Sequence, residues 1–270
     1  MSIAVLLLWL PSGWNRQRQE SAGLERTTRK LKLTQEGQLF LGKARSILND
    51  LAEAEDSLLK ADEDISGLIR VDSATPFVLH VIVPLMHEFM RKYPNVEIEL
   101  NNHDQVIDLL EHQTDVAIRF GELTDSTLHA KLLCRSRLYI VASPDYLAQN
   151  GRPAQAEDLL EHNLIGFSQT HHLNTWPIHM NQKPFTARPK IKASNGETVR
   201  QLALEGVGIT CLSRFLVQED IQAGRLSTLL EDQITLHYQK IHAVYYLQEH
   251  LPKRVRLFIE FLAEKLKPYL

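Results

Sequence analysis

A two-lobed α/β fold, entered through one long helix, is what these 270 residues predict. Two patterns carry that expectation. Downstream of residue 66, segments with strand character alternate with helical segments in two successive sets. Upstream, a stretch free of proline from Thr34 to Ala74 repeats its apolar residues at spacings of four and three. An apolar content of 44% is enough to bury a sizeable core in more than one compact unit.

The first residues argue by exclusion. Ile3–Leu10 is an apolar run of eight residues, whereas a helix crossing a bilayer needs roughly twenty. The run has no basic flank before it and no small-residue cleavage site after it, so a signal peptide is not expected. The expected location is the cytoplasm, with no membrane partner. Cys134 and Cys211 lie far apart, without a CxxC or Cys/His pairing. They read as small core residues of a reducing compartment.

Net charge is −3, but its distribution is uneven. Residues 16–32 carry six basic side chains (Arg16, Arg18, Arg26, Arg29, Lys30 and Lys32) against Glu20 and Glu25, leaving residues 33–270 at −7. One compact basic patch on an acidic body suits a localised phosphate contact, and equally a solvated basic loop. From Thr34, a candidate cap, with Glu36 in the first turn, a long helix follows. Ala44, Leu51 and Leu58 occupy one heptad position, and Phe40, Ile47 and Ala54 the other. The flanking Lys43, Arg45, Asn49, Asp50 and Glu53 keep that stripe narrow, which favours pairing with a second copy over lying on a broad core.

The first βα set comes next. Residues 68–74 (LIRVDSA) predict a strand, and 75–93 a helix with Thr75 placed to cap and Pro76 in its first turn. Residues 96–100 (VEIEL) predict a strand, 104–112 a short helix and 115–120 (DVAIRF) a third strand. Strands around Leu128–Lys131 and Arg137–Ala142 follow, and Ser143-Pro144 opens another helix. In the second set, 164–167 (LIGF) is a strand, and 171–189 an irregular loop in which Trp176-Pro177 anchors packing. Then come a strand at 191–195, a helix at 197–206 and a buried strand at 207–213. A strand at 242–247 and a helix at 255–266 return to the first half.

Three stretches resemble LysR-type transcriptional regulators: RTTRKLKLTQEG (26–37), residues 67–100 with DVAIRFGEL (115–123), and ASNGETVRQLALEGVGITCLS (193–213). The first is similar to the wing of a winged helix-turn-helix and the start of a linker helix; the others are similar to the two effector-domain lobes. The resemblance implies a periplasmic-binding-protein-like (type 2) effector domain preceded by a long linker helix. The expected divisions are a winged helix-turn-helix remnant at 1–33 (wing at 24–33), a dimerising linker at 34–65 and the effector domain at 66–270. Within the last, lobe I takes 66–142 plus 243–270 and lobe II takes 143–242. In that family a complete helix-turn-helix precedes the linker. Here 33 residues precede Thr34, and residues 1–23 show no periodicity long enough for two helices, so the DNA-contacting part is expected to be incomplete.

Ligands of such folds sit where strand ends meet helix starts. That geometry selects Ser73 and Thr75, Asn102 and His103, Arg119, Phe167, and Ser194 and Asn195 as candidate ligand-binding residues. Helix N-termini converging there favour a carboxylate-bearing ligand, with Arg119 as a charged fork. Thr75, Asp104 and Ser194 suit plain helix caps as well. Arg26, Thr28, Arg29, Lys30 and Lys32 are the candidate DNA contacts, which touch phosphate and carry little base information. No GxSxG, HExxH or GxxxxGK[ST] motif occurs, and His171, His172 and His179 lack a Cys or acidic neighbour. No catalytic, metal or cofactor site is expected. The resemblance thus implies a ligand-responsive, DNA-binding homodimer or homotetramer that senses a small anionic metabolite. The alternative is a two-lobed solute-binding protein without a DNA function.

Overall fold

The computed structural model describes residues 24–26, 31–33, 37, 40, 43, 44, 47, 65–103, 109, 114–123, 128–235, 238–246 and 251–267, in two compact units divided after Leu58. In the first unit, strands β1 (Leu24–Arg26) and β2 (Leu31–Leu33) form an antiparallel hairpin in which Glu25 lies opposite Lys32. The hairpin falls within the stretch whose sequence resembles a wing. Positions 37, 40, 43, 44 and 47 are helical, and Phe40 and Ile47 are exposed there while Ala44 is half-buried. Thr28, Arg29, Lys30, Leu51, Ala54 and Leu58, the helix expected at 104–112 (except Leu109, in a turn), and residues 1–23 lie outside the described residues.

The second unit is built on a mixed sheet. Strand β3 (Ser66–Ser73) pairs in parallel with β4 (Asn95–Asn102) on one side and β5 (Val116–Phe120) on the other. Helix α1 connects β3 to β4 in three parts, an α-turn at Thr75–Phe77, a π-turn at Val78–Ile82 and a regular stretch at Val83–Lys92. The π-turn has a local cause in Pro84, whose ring would collide with the His80 carbonyl in a regular helix and which has no N–H to donate. The chain widens one residue upstream, where Val83 N–H reaches Val78 O. Thr75 is not the cap: Ala74 holds that position, without a side-chain hydrogen bond.

Beyond β5 lies the element that the residue pattern splits in two. Leu128–Lys131 and Arg137–Ala142 are one continuous strand, β6 (Leu128–Ala142), antiparallel to β13 (Tyr238–Tyr246) over most of its length. β13 also pairs with β5, which closes the order β4-β3-β5-β13-β6. Between Ile241 and His242 the partner on β6 jumps from Cys134 to Leu132, so Leu133 is an extra residue. The bulge turns two consecutive residues, Leu133 and Cys134, into the same core.

β6 then enters a second core. Ile140 and Ala142 join Trp176, Ile178, Ile209 and Leu229 on one face, while Val141 joins Ile165, Val199, Leu212 and Leu216 on the other. The crossing therefore falls before Leu138, inside the strand, and not after Ala142. Strands β11 (Thr210–Ser213) and β12 (Ser227–Leu229) flank this part of β6, and β7 (Ile165–Phe167) pairs in parallel with β10 (Ile191–Ala193). Helices α2 (Pro144–Asn150), α3 (Gly196–Leu204) and α4 (Arg214–Gln222) belong to this half, whereas α5 (Lys253–Leu266) returns to the first core through Val255, Phe258, Ile259 and Leu262. A helix does open at Ser143-Pro144, and Ser143 caps it by accepting from Tyr146 N–H at 3.3 Å.

The expected irregular loop at 171–189 is a hairpin. Strands β8 (Thr175–Met180) and β9 (Lys183–Thr186) are joined by Asn181 and Gln182, both with positive φ (49° and 63°), as a type I′ turn requires. Trp176 and Phe185 pack edge-on at 5.4 Å between centroids beneath it. Cys134 and Cys211 are buried free thiols, and burial pushes the Cys134 thiol up to about 12.

Gly208 holds the junction between β7 and β11 together: a Cβ there would lie 2.2 Å from the Asn163 carbonyl oxygen, and the next residue, Ile209, bridges Leu164. Because the obstacle is backbone, Gly208→Ala is expected to destabilise the domain by about 2–3 kcal/mol, read as an earlier urea midpoint with unchanged slope.

Candidate functional site

The candidate site lies where the carboxyl ends of β3, β4 and β5 and the first turn of α1 approach the start of α3. A Cβ on Gly196 would sit 3.1 Å from Pro76 Cγ and 3.3 Å from Leu216 Cδ2, so the two helix starts touch. Beside this contact, Phe77, Phe120 and Phe215 form a triangle with centroids 5.3–6.1 Å apart. Two rings come from the first lobe and one from the second, which is apolar glue across the junction. A polar link also crosses the junction, with His80 Nε2 2.7 Å from Glu197 Oε2.

Asp72 organises the first-lobe side. Its carboxylate is fully buried within β3; His103 Nδ1 donates to it at 2.6 Å and Arg119 Nη1 at 3.0 Å. A buried carboxylate is sustained only by such partners. This changes the expected role of Arg119: its fork is engaged by Asp72 as a counter-charge before any ligand is considered. His103 is committed to the same oxygen pair. Asn102 is exposed at the end of β4, opposite Ser73. Ser73 is fully buried, and its hydroxyl finds no hydrogen-bond partner among the described residues.

On the second-lobe side, Asn195 caps α3 by accepting from Thr198 N–H at 2.9 Å, and Ser194 is exposed next to it. Phe167 is a core residue whose backbone is clamped by Asn174, which accepts from Phe167 N–H at 2.8 Å and donates to its carbonyl at 2.9 Å. Ser73, Thr75, Asn102, His103 and Arg119 thus share one end of the first sheet. Ser194 and Asn195 adjoin the Gly196 contact, and Phe167 serves packing.

The residue pattern misses a charged chain that runs inward from this junction. Glu197 accepts from Arg200 Nη1 at 2.8 Å, and Arg200 donates through Nε to the fully buried Asp220 at 2.6 Å, which Arg225 also holds at 2.8 Å. Burial raises the Glu197 carboxyl, but hydrogen bonds from Gln201 and His80 and the Arg200 charge outweigh it and leave the pKa below the ordinary range. Burial lowers Arg200, but Asp220 more than compensates, so its pKa is raised. The available signal was an acid inside an apolar pattern, since both Asp72 and Asp220 stand where a strand or helix face is otherwise buried. Among the described residues no group of three or more His, Cys, Asp or Glu side chains is placed to hold a metal ion, and no helix is long and apolar enough to cross a membrane.

Comparison with known proteins accounts for this architecture. The LysR substrate binding domain model matches residues 62–267. This chain belongs to the LysR family of transcriptional regulators. It is 43% identical to the HTH-type transcriptional regulator CrgA of Neisseria meningitidis over 244 residues, 90% of this chain and 82% of that protein. It is 35% identical to the regulator PtxR of Pseudomonas aeruginosa, over 90% and 78% of the two chains. The solved structure of CrgA superposes with a TM-score of 0.74 at 41% identity, covering 93% of this chain and 86% of that one. The relatives of this LysR-type regulator are DNA-binding transcription factors with an effector-binding domain, and the alternative of a solute-binding protein without a DNA function finds no support among them.

Two measurements check the electrostatics. Asp72→Ala leaves Arg119 without its buried counter-charge and is expected to cost about 3–5 kcal/mol in urea unfolding. For Glu197, a folded pKa below the unfolded one means that its contribution is complete above the unfolded glutamate range and is lost as pH falls through the folded value. Unfolding free energy followed from about pH 6 to about pH 3 should therefore fall less steeply in Glu197→Gln than in the unmodified protein, and parallel curves would remove Glu197 from the account.

Proposed function

We propose that this regulator senses a small anionic metabolite at the junction of its two lobes, in the cytoplasm, and transmits occupancy through a homodimer or homotetramer to DNA. The observation that carries the ligand reading is Ser73. A buried hydroxyl without a partner costs about 1–3 kcal/mol, and this one stands at a strand end beside the first turn of a helix. A ligand oxygen there would satisfy the hydroxyl. The first turns of α1 and α3, which meet at Pro76 and Gly196, add positive dipole ends. Thr75, Asn102, Ser194 and Asn195 line the same approach, with Arg119 and His103 held in place by Asp72 behind them.

Binding energy reaches the rest of the molecule only if it differs between lobe arrangements. The Phe77–Phe120–Phe215 triangle and the His80–Glu197 pair are the contacts that such a difference would act on. In the N-terminal unit, the β1–β2 hairpin with Arg26 and Lys32, together with Thr28, Arg29 and Lys30, supplies phosphate contacts, and Phe40, Ala44, Ile47, Leu51, Ala54 and Leu58 supply the pairing stripe.

A thermal-shift panel of small mono- and dicarboxylates tests the ligand reading. A stabilising carboxylate should lose at least about ten-fold in affinity in Ser73→Ala, and an unchanged affinity would move the site elsewhere. Fluorescence anisotropy with duplex DNA tests the DNA reading. Binding should weaken steeply with salt, and Arg26→Ala with Lys32→Ala should flatten that salt slope by about two.

A further inference from the structure

The second lobe carries a cationic cavity that the junction site does not use. Its volume is about 270 Å³, and His171, Asn174, Thr186, Arg188, Pro189 and Lys192 line it. Its charge is set along the chain: between Glu161 and Glu197 no acidic residue occurs, while Lys183, Arg188, Lys190 and Lys192 and four histidines fall within that stretch. For a protein of net charge −3, this is a pronounced local excess.

The cations at this cavity differ from others in the domain. Arg70, Arg119, Arg200, Arg225, Lys240 and Lys265 each pair with a carboxylate. Arg188 and Lys192 are exposed and make no ion pair with any acid among the described residues. The frame that carries them is rigid. Asn174 is buried and clamps the Phe167 backbone in both directions, and Ala187 N–H donates to the Asn174 carbonyl at 2.8 Å. Lys190 N–H donates to Leu164 O at 2.9 Å, and Lys192 is held in β10 opposite Gly166. Gly166 lets this wall close: a Cβ there would lie 2.4 Å from Asn174 Oδ1 and 2.5 Å from Pro189 Cγ. Side chains that need little reordering lose less free energy on binding.

We propose that this cavity is a second ligand site, separate from the lobe junction, for a compact phosphate-bearing small molecule. A guanidinium offers a planar fork to a phosphoryl group, an ammonium offers a point charge, and Thr186 and His171 offer further donors around them. A single concavity of this size, open to solvent, suits a small polyanion better than a nucleic-acid backbone, which would track an extended stripe. The site stands independently of the effector reading at the junction.

Isothermal titration of the full chain with pyrophosphate, at constant ionic strength, tests it. One saturable site per chain is expected. Arg188→Gln combined with Lys192→Gln should weaken it by at least about ten-fold, and Ser73→Ala should leave it unchanged. Both substituted residues are exposed, so the urea midpoint of the double variant should match the unmodified protein. Lys192→Gln alone, with an expected loss of about three-fold, keeps the test decisive if the double variant does not fold. The proposal is overturned if pyrophosphate heats match those of sodium chloride, if the variants bind as the unmodified protein does, or if citrate binds where pyrophosphate does not. Loss of duplex DNA binding in the double variant, without any pyrophosphate site, overturns it in favour of a nucleic-acid surface.

Discussion

One unbroken strand serving two hydrophobic cores is the constraint from which the rest of this domain follows. β6 contributes Leu133 and Cys134 to the first core and Ile140, Val141 and Ala142 to the second. Between them, Arg135, Ser136 and Arg137 pair through backbone with Lys240, Gln239 and Tyr238 of β13. A ladder of backbone hydrogen bonds needs no apolar side chains, so the strand continues where neither core reaches it. Two antiparallel strands thus join the lobes, and any change in lobe arrangement has to be absorbed in that polar stretch or in the bulge at Leu133.

The same arrangement explains the charges. Where strands end between two cores, buried backbone and side-chain polar groups need partners, and fully buried carboxylates provide them at two places. Asp72 binds His103 and Arg119 at the end of the first sheet, and Asp220 on α4 binds Arg200 of α3 and Arg225 of the turn after α4. Arg200 reaches on to Glu197 and, through it, to His80 in the first lobe. The junction is therefore cemented by both an aromatic triangle and a charged chain. The apolar part is insensitive to pH, while the charged part depends on ionised carboxylates.

Much of this was legible in the residues. Strands β3, β4 and β5, helices α1, α3 and α5, and the helix start at Ser143-Pro144 follow from periodicity and local signals that packing did not override. That Ser73, Thr75, Asn102, His103 and Arg119 would fall at one end of the first sheet was legible because the end of a strand is also the start of the loop that follows it. Less was legible where the signal was non-local. Arg135–Arg137 breaks the apolar pattern of β6, so the strand looks like two. The β8–β9 hairpin alternates poorly because Trp176, Pro177 and Ile178 are all buried in succession. Arg119 has the chemistry of an anion fork, and only the proximity of Asp72, 47 residues away, shows that the fork is engaged.

What the sequence determined by itself was the order and type of most elements, the helical stripe at Phe40, Ala44 and Ile47, the basic patch before it and the family to which the chain belongs. Those properties depend on neighbours within a few positions along the chain, where hydrogen-bond geometry and side-chain period act directly. Tertiary structure alone decided which cation meets which carboxylate, where the chain crosses between cores, and that Arg188 and Lys192 flank a cavity while Arg119 and Arg200 are neutralised. Coulombic and packing partners are set by distance in space, and residues as remote as His80 and Glu197 come within 2.7 Å only after both cores have formed.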